Sequence, residues 1–233
     1  DGFIAPLKEN LAASLIRLTE WDQKTPIIDP MCGSGTFIIE AAGMAAKLPA
    51  NFSLSKKRVF SYELFAESSP FGKVNTKNIY SNAEKVWKTC NENSHTYPSL
   101  FGFDISEESI DKAKNNASRA LPERLAEKIS WNVKSLHTLT RPNFDKGLVL
   151  TNPPYGKRMG RISSTDELIT IFSSILKKQF AGWSAWILTN EKELVSKIKL
   201  RASDKVPVKN GDIECFWCKF DIFRGSKFRK EKS

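Results

Sequence analysis

The sequence has almost no histidine: His95 and His137 are the only two in 233 residues. Cysteine is scarce as well, with Cys32, Cys90, Cys215 and Cys218. So few ligating side chains leave little from which to build a metal centre, and none is expected. Cys215-Phe216-Trp217-Cys218 has zinc-like spacing, but no second pair accompanies it. It also lies in a strand-like run, where positions three apart face opposite sides. Both thiols are therefore expected in the core. Four cysteines in a chain of this length do not form a secreted disulfide framework, and a reducing, cytoplasmic compartment is expected. No apolar run reaches transmembrane length and no signal-peptide pattern is present, so no membrane partner is expected. No internal repeat is found.

Negative charge is in deficit. Lys and Arg number 36 against 26 Asp and Glu, a formal net charge of +10 with a pI near 9.4. Such a balance suits a polyanion, nucleic acid first. A generally solvated basic surface would look the same. Part of the excess lies in Arg224–Ser233, read as a basic tail or linker. The first residue is Asp1 rather than Met, so an excised domain is expected.

Two further absences narrow a Gly-rich turn. Thr25-Pro26-Ile27-Ile28-Asp29-Pro30 reads as a strand, Met31-Cys32-Gly33-Ser34-Gly35-Thr36 as a turn, and Phe37 to Leu48 as a helix. No Lys follows the last Gly, so this is not a phosphate-binding P-loop. The third Gly of the dinucleotide fingerprint is replaced by Ile38, and no catalytic His is placed for a nicotinamide enzyme. Gly33 and Gly35 remove side chains where a backbone lined with N–H groups approaches a ligand. Asp29 can accept hydrogen bonds from a cationic or hydroxyl-bearing ligand.

What is present is a second corner. Gly147-Leu148-Val149-Leu150 leads into Thr151-Asn152-Pro153-Pro154-Tyr155. Valine and leucine suit a buried strand, and two prolines cannot continue a ladder. Each proline fixes its own φ, and Pro154 biases Pro153 towards extended backbone. The corner presents an amide, a free carbonyl and a phenol ring at the carboxyl end of a strand, where open α/β sheets bind ligands. A planar group with an exocyclic NH2 fits it. The amide oxygen and carbonyl would accept its two hydrogens while the ring stacks. A Pro-rich turn after a core strand is the plainer alternative.

Between these motifs, residues from about 49 to 98 form a basic and aromatic insertion, with a helix over Asn78–Glu92. It either contacts RNA or docks its aromatics on the main fold. Ser99 to Ser106 is a strand that ends in Asp104-Ile105, where a carboxylate takes a ribose diol. Ser106 caps the next helix, whose buried face is Ile110, Ala113, Ala117 and Leu121. A third strand covers Ile129–Val133, followed by Ser135. A helix over Asp166–Phe180, a strand over Ser184–Asn190 and a short helix over Glu191–Ile198 come next. Lys205–Val208 and Ile213–Phe223 form a hairpin around Asn-Gly. Alternating strand and helix closed by a hairpin predicts a doubly wound α/β fold: a mostly parallel sheet with an antiparallel last strand.

Asp29 to Thr36 together with Asn152 to Tyr155 resembles the class I S-adenosylmethionine-dependent methyltransferases that act on exocyclic amino groups. Ala5 to Ala13, Gln179 to Trp183, Leu200 to Ala202 and Lys209 to Gly211 bring the resemblance closer to the THUMP-associated RNA guanine-N2 methyltransferases, and within them to the bacterial 23S ribosomal RNA large-subunit methyltransferase L group. The resemblance implies a seven-stranded Rossmann-like methyltransferase domain over 1–223. It implies that Met31, Gly33, Ser34, Gly35 and Thr36 pass under the cofactor, with Asp29 near its methionine part. Asp104 would bind the ribose hydroxyls, with Ile105 beside it. Asn152 and the Pro153 carbonyl would hold the target amine, and Tyr155 would stack on a flipped base. Relatives place an Asp after strand three to accept the adenine amine; here Ser135, a weaker acceptor, stands in its place. A THUMP-type RNA-binding region would precede Asp1. Rival readings are methylation of adenine-N6, cytosine-N4, tRNA guanine-N2 or protein glutamine, and a non-catalytic RNA-binding module of the same fold.

Overall fold

The computed structural model describes residues 7–49, 76–92, 97–154, 165–190 and 192–224. Tyr155, residues 50–75 and residues 225–233, and with them most of the expected insertion and tail, lie outside the described residues.

Helix α1 (Glu9–Leu18) turns Ala12, Leu15 and Ile16 inward. Strand β1 (Ile27–Asp29) follows, fully buried, and then α2 (Thr36–Ala45). Helix α3 (Thr76–Glu92) lies between α2 and β2, and its Ala83, Trp87 and Cys90 are buried. This helix therefore docks on the main fold. Strand β2 (Leu100–Asp104) leads to α4 (Glu107–Ala120), which Ser106 caps by accepting the Ser109 N–H at 3.2 Å. Ile110, Ala113, Ala117 and Leu121 are all buried, as the spacing predicts. A one-turn helix α5 (Glu123–Ala126), not foreseen, buries Leu125 before β3 (Ser130–Val133). Strand β4 (Leu148–Thr151), α6 (Thr165–Gln179), β5 (Ser184–Thr189) and α7 (Lys192–Lys197) complete the alternation. Strands β6 (Asp204–Asn210) and β7 (Ile213–Asp221) are joined by Gly211-Asp212, with Gly211 at φ 64°.

The seven strands form one sheet in the order β3-β2-β1-β4-β5-β7-β6. The first five are parallel, and β7 runs antiparallel between β5 and β6. Alternation along the strands divides the core into two layers. Ile27, Leu150, Trp186 and Trp217 face the side covered by α1 and α2. Ile28, Val149, Ile187 and Phe220 face α6. Cys215 lies in the first layer and Cys218 in the second, so the two thiols point away from each other. Burial pushes both thiols up, which disfavours their thiolate forms.

The chain order runs outward from β1 towards β2 and β3, and from β4 towards β5. The crossover between β1 and β4 is therefore the switch point at which such sheets open a crevice. In the register Ile27↔Leu148 and Ile28↔Val149, Asp29 and Thr151 end neighbouring strands at the same edge of the sheet. The Gly-rich turn and the Asn152 corner both leave from there.

Candidate active site

The turn after β1 is held from three sides. The Cys32 N–H donates to the Phe103 carbonyl at 2.8 Å. The Gly33 N–H donates to Oδ2 of Asp104 at 2.9 Å. On the outer side, Nδ2 of Asn116 on α4 donates to the Ser34 carbonyl at 3.1 Å. Asn116 was not foreseen as a site residue; only the packing of α4 against the turn reveals it.

The two glycines do different work. Both have positive φ, 52° at Gly33 and 85° at Gly35. Among the described residues, a Cβ on Gly33 would meet nothing within 4 Å, so space lies open above this peptide. A Cβ on Gly35 would stand 2.6 Å from the Trp131 ring and 3.0 Å from Cβ of Ala113. Gly35 is thus required by internal packing, and Gly33 borders the crevice. Thr36 begins α2, Ser34 is exposed at the tip, and Met31 packs partly into the α6 layer.

Asp104 ends β2 half-exposed. Its Oδ1 accepts the Ser106 N–H at 2.9 Å while Oδ2 accepts that of Gly33. Two backbone donors fix the carboxylate plane and leave each oxygen a further lone pair. A vicinal diol can use those lone pairs. Ile105 is 66% exposed beside it, and Val133, level with Asp104 on β3, is 53% exposed. Two exposed aliphatic side chains at a strand end suit the flat face of a ring. Ser135 is half-buried, and its oxygen accepts the His137 N–H at 3.3 Å, capping a single 3₁₀ turn over Leu136–Thr138. Its hydroxyl is engaged locally, which weakens it further as a stand-in for an acid.

Asp29 is almost fully buried and accepts the Met31 N–H at 3.1 Å. Burial pushes its carboxyl up to about 7, Thr151 and the Met31 N–H draw it down, and the Asp104 charge raises it. Cys32 beside it is pushed up by burial and by both carboxylates. This side of the crevice holds two acids and no base among the groups acting on Asp29, a setting that welcomes a bound cation. An open peptide at Gly33, a pre-set diol acceptor, exposed aliphatics and paired acids fit an adenosyl group joined to a cationic amino-acid chain.

Asn152 is half-buried and Pro153 buried at the end of β4. The structure therefore gathers Asp29, Met31, Gly33, Ser34, Gly35, Thr36, Asp104, Ile105, Asn152 and Pro153 along one edge of the sheet. Ser135 lies beyond β3, and Tyr155 is outside the described residues.

Fold and site together define the class: a Rossmann-like methyltransferase domain of the S-adenosylmethionine-dependent kind. Within that class the chain belongs to the family of the RMKL-like methyltransferase domain, whose pattern matches residues 1–219. It is 36% identical over 212 residues to the ribosomal RNA large subunit methyltransferase K/L of Vibrio cholerae, covering 91% of this chain and 28% of that protein. It is 33% identical to the protein of the same name from Vibrio campbellii, covering 94% of this chain and 29% of the relative. The chain thus spans less than a third of the curated relatives it matches. Among solved structures, SMU.472 complexed with S-adenosylhomocysteine superposes with a TM-score of 0.76 at 26% identity, over 96% of this chain and 55% of the other. Among the described residues, no helix is long and apolar enough to cross a membrane.

Proposed function

We propose that this domain binds S-adenosylmethionine and methylates the exocyclic N2 amine of a guanine in large-subunit ribosomal RNA. The observation that carries the reading is the placement of the Asn152 corner beside the Gly33 turn at the switch point, in a chain with ribosomal RNA methyltransferase relatives. The cofactor supplies an activated methyl group on a sulfonium. Asp104 would hold its ribose, Met31 to Thr36 would line its methionine side, and Ile105 would meet its ring.

The acceptor side is the work of Asn152 and the Pro153 carbonyl. A guanine amine is a poor nucleophile because its lone pair is delocalised into the ring. Two acceptors on its hydrogens favour a more tetrahedral nitrogen and stabilise the positive charge developing there. Tyr155, two residues beyond Pro153 in sequence, is the ring on which an extruded base stacks. Holding amine and methyl donor in line accounts for much of the remaining barrier reduction. The net charge of +10 supports a polyanionic substrate.

We take residues 1–223 as the methyltransferase domain, 49–98 as its insertion and 224–233 as a basic tail or linker. In the full-length protein a THUMP-type region before this domain supplies RNA affinity. The same corner suits other planar amines, so the product decides. Ribosomal RNA treated with the full-length protein and labelled cofactor, digested and analysed by mass spectrometry, should yield N2-methylguanosine. Methylated adenosine or cytidine as the product contradicts the guanine assignment. No cofactor binding at all contradicts the enzyme.

A further inference from the structure

Thr151 ends β4 with no exposed surface, and among the described residues its Oγ1 has no hydrogen-bond partner. A buried hydroxyl left without a partner is unfavourable and uncommon. Asp29, also buried, ends the neighbouring strand β1 at the same edge of the sheet, one register position short of Thr151. The hydroxyl lies near enough to favour the ionised form of Asp29 without reaching hydrogen-bond geometry. Asp29 in turn holds the first residue of the Gly-rich turn through the Met31 N–H. Thr151 is bonded directly to Asn152, and Pro153 and Pro154 stiffen the backbone immediately beyond. Any shift of Thr151 is therefore passed to the amide that faces the acceptor.

The charged group that acts on Asp29 is the Asp104 carboxylate on β2, and the neutral Cys32 thiol lies beside it. Neither is a cation. A ligand that brings positive charge to this edge of the sheet would favour ionised Asp29, and the ionised carboxylate is an acceptor that the unpartnered hydroxyl can reach by a small movement.

We propose that Thr151 is a positioning residue: its hydroxyl donates to ionised Asp29 when a cationic cofactor is bound, drawing the Asn152 corner into register with the cofactor turn. This rests on the methyltransferase reading above. It makes alignment of the acceptor half depend on occupation of the cofactor half, through one side chain that touches neither ligand.

The test is titration of S-adenosylmethionine, whose sulfonium carries a positive charge at every pH used, into this chain by calorimetry between pH 6 and 9. Wild type, Thr151→Val and Thr151→Ser are compared. Valine keeps the shape and loses the donor. It should bind about tenfold more weakly near neutral pH, as for one lost charge-assisted hydrogen bond. The pH at which affinity rises should also move upward, because ionised Asp29 has lost its donor. Serine should restore both. In an Asp29→Asn background the Thr151→Val change should have little further effect. If Thr151→Val does not fold, Thr151→Cys, of similar size and a weaker donor, serves the same comparison. Equal affinity and an equal pH profile for wild type and the donor-deficient variant overturn the inference and leave the methyltransferase reading intact. Failure of the wild type to bind at all overturns both.

Discussion

The backbone N–H of Gly33 donates to Oδ2 of Asp104 at 2.9 Å, joining residues 71 apart in the chain. The bond ties the turn after β1 to the end of β2. With the Ser106 N–H on the other oxygen, it presents the carboxylate already oriented. Asp104→Asn replaces one acceptor oxygen with an NH2 group, which cannot accept from a backbone donor. It should lower S-adenosylhomocysteine affinity by about tenfold to a hundredfold, from one or two charge-assisted hydrogen bonds. Calorimetry checks this. Unchanged affinity would remove Asp104 from the cofactor site.

Gly35→Ala and Gly33→Ala should separate stability from binding. At Gly35 a methyl meets the Trp131 ring at 2.6 Å on a backbone with φ 85°. A loss of about 2–4 kcal/mol in urea unfolding is expected, from left-handed strain together with overpacking. At Gly33 the strain remains but the space is open, so only about 1–2 kcal/mol is expected. The affinity loss should be the larger effect there. Trp131→Ala should recover much of the Gly35→Ala loss and none of the other.

Much of this was legible in the sequence. The alternation of strands and helices follows from local spacing, as in Ile110, Ala113 and Ala117 of α4, which share one face because 3.6 residues make a turn. Cys215 and Cys218 could be assigned to opposite layers from strand periodicity alone. The Asn152 corner and the Gly-rich turn were visible because prolines and glycines mark backbone geometry directly. Contacts that depend on which strands become neighbours were not legible. Nothing near Gly35 in the chain announces Trp131, which arrives from β3. Asn116 reads as an ordinary exposed helix residue until its amide is seen on the Ser34 carbonyl. Helix α5 escaped because four residues are too few for a periodic signal. Thr151 reads as any strand threonine, and its unpartnered hydroxyl exists only in three dimensions.

Two carboxyls raised by burial contribute a pH dependence of stability opposite to ordinary acid unfolding. The Asp29 carboxyl is pushed by burial from an ordinary 3.8 to about 7. Glu40 on α2 is raised from 4.5 to about 7, by burial first and then by the charge of Glu9. The folded state therefore holds protons that the unfolded chain releases between about pH 4 and 7. The stabilisation these groups give is full below pH 4 and is lost as pH rises to 7. Asp29→Asn should raise stability at pH 8 by roughly 1–4 kcal/mol and change little at pH 4, as read from urea unfolding at both values. An equal effect at the two values would show that Asp29 ionises freely in the fold.

The central claim is that the corner after β4 grips the acceptor amine and the turn after β1 holds the methyl donor. Asn152→Ala separates the two halves. In the full-length protein, with ribosomal RNA as acceptor, S-adenosylhomocysteine affinity should stay within about threefold of wild type. The single-turnover rate of methyl transfer should fall by on the order of a hundredfold or more, as for loss of one hydrogen bond made in the transition state. Retained cofactor binding with full turnover would contradict the account.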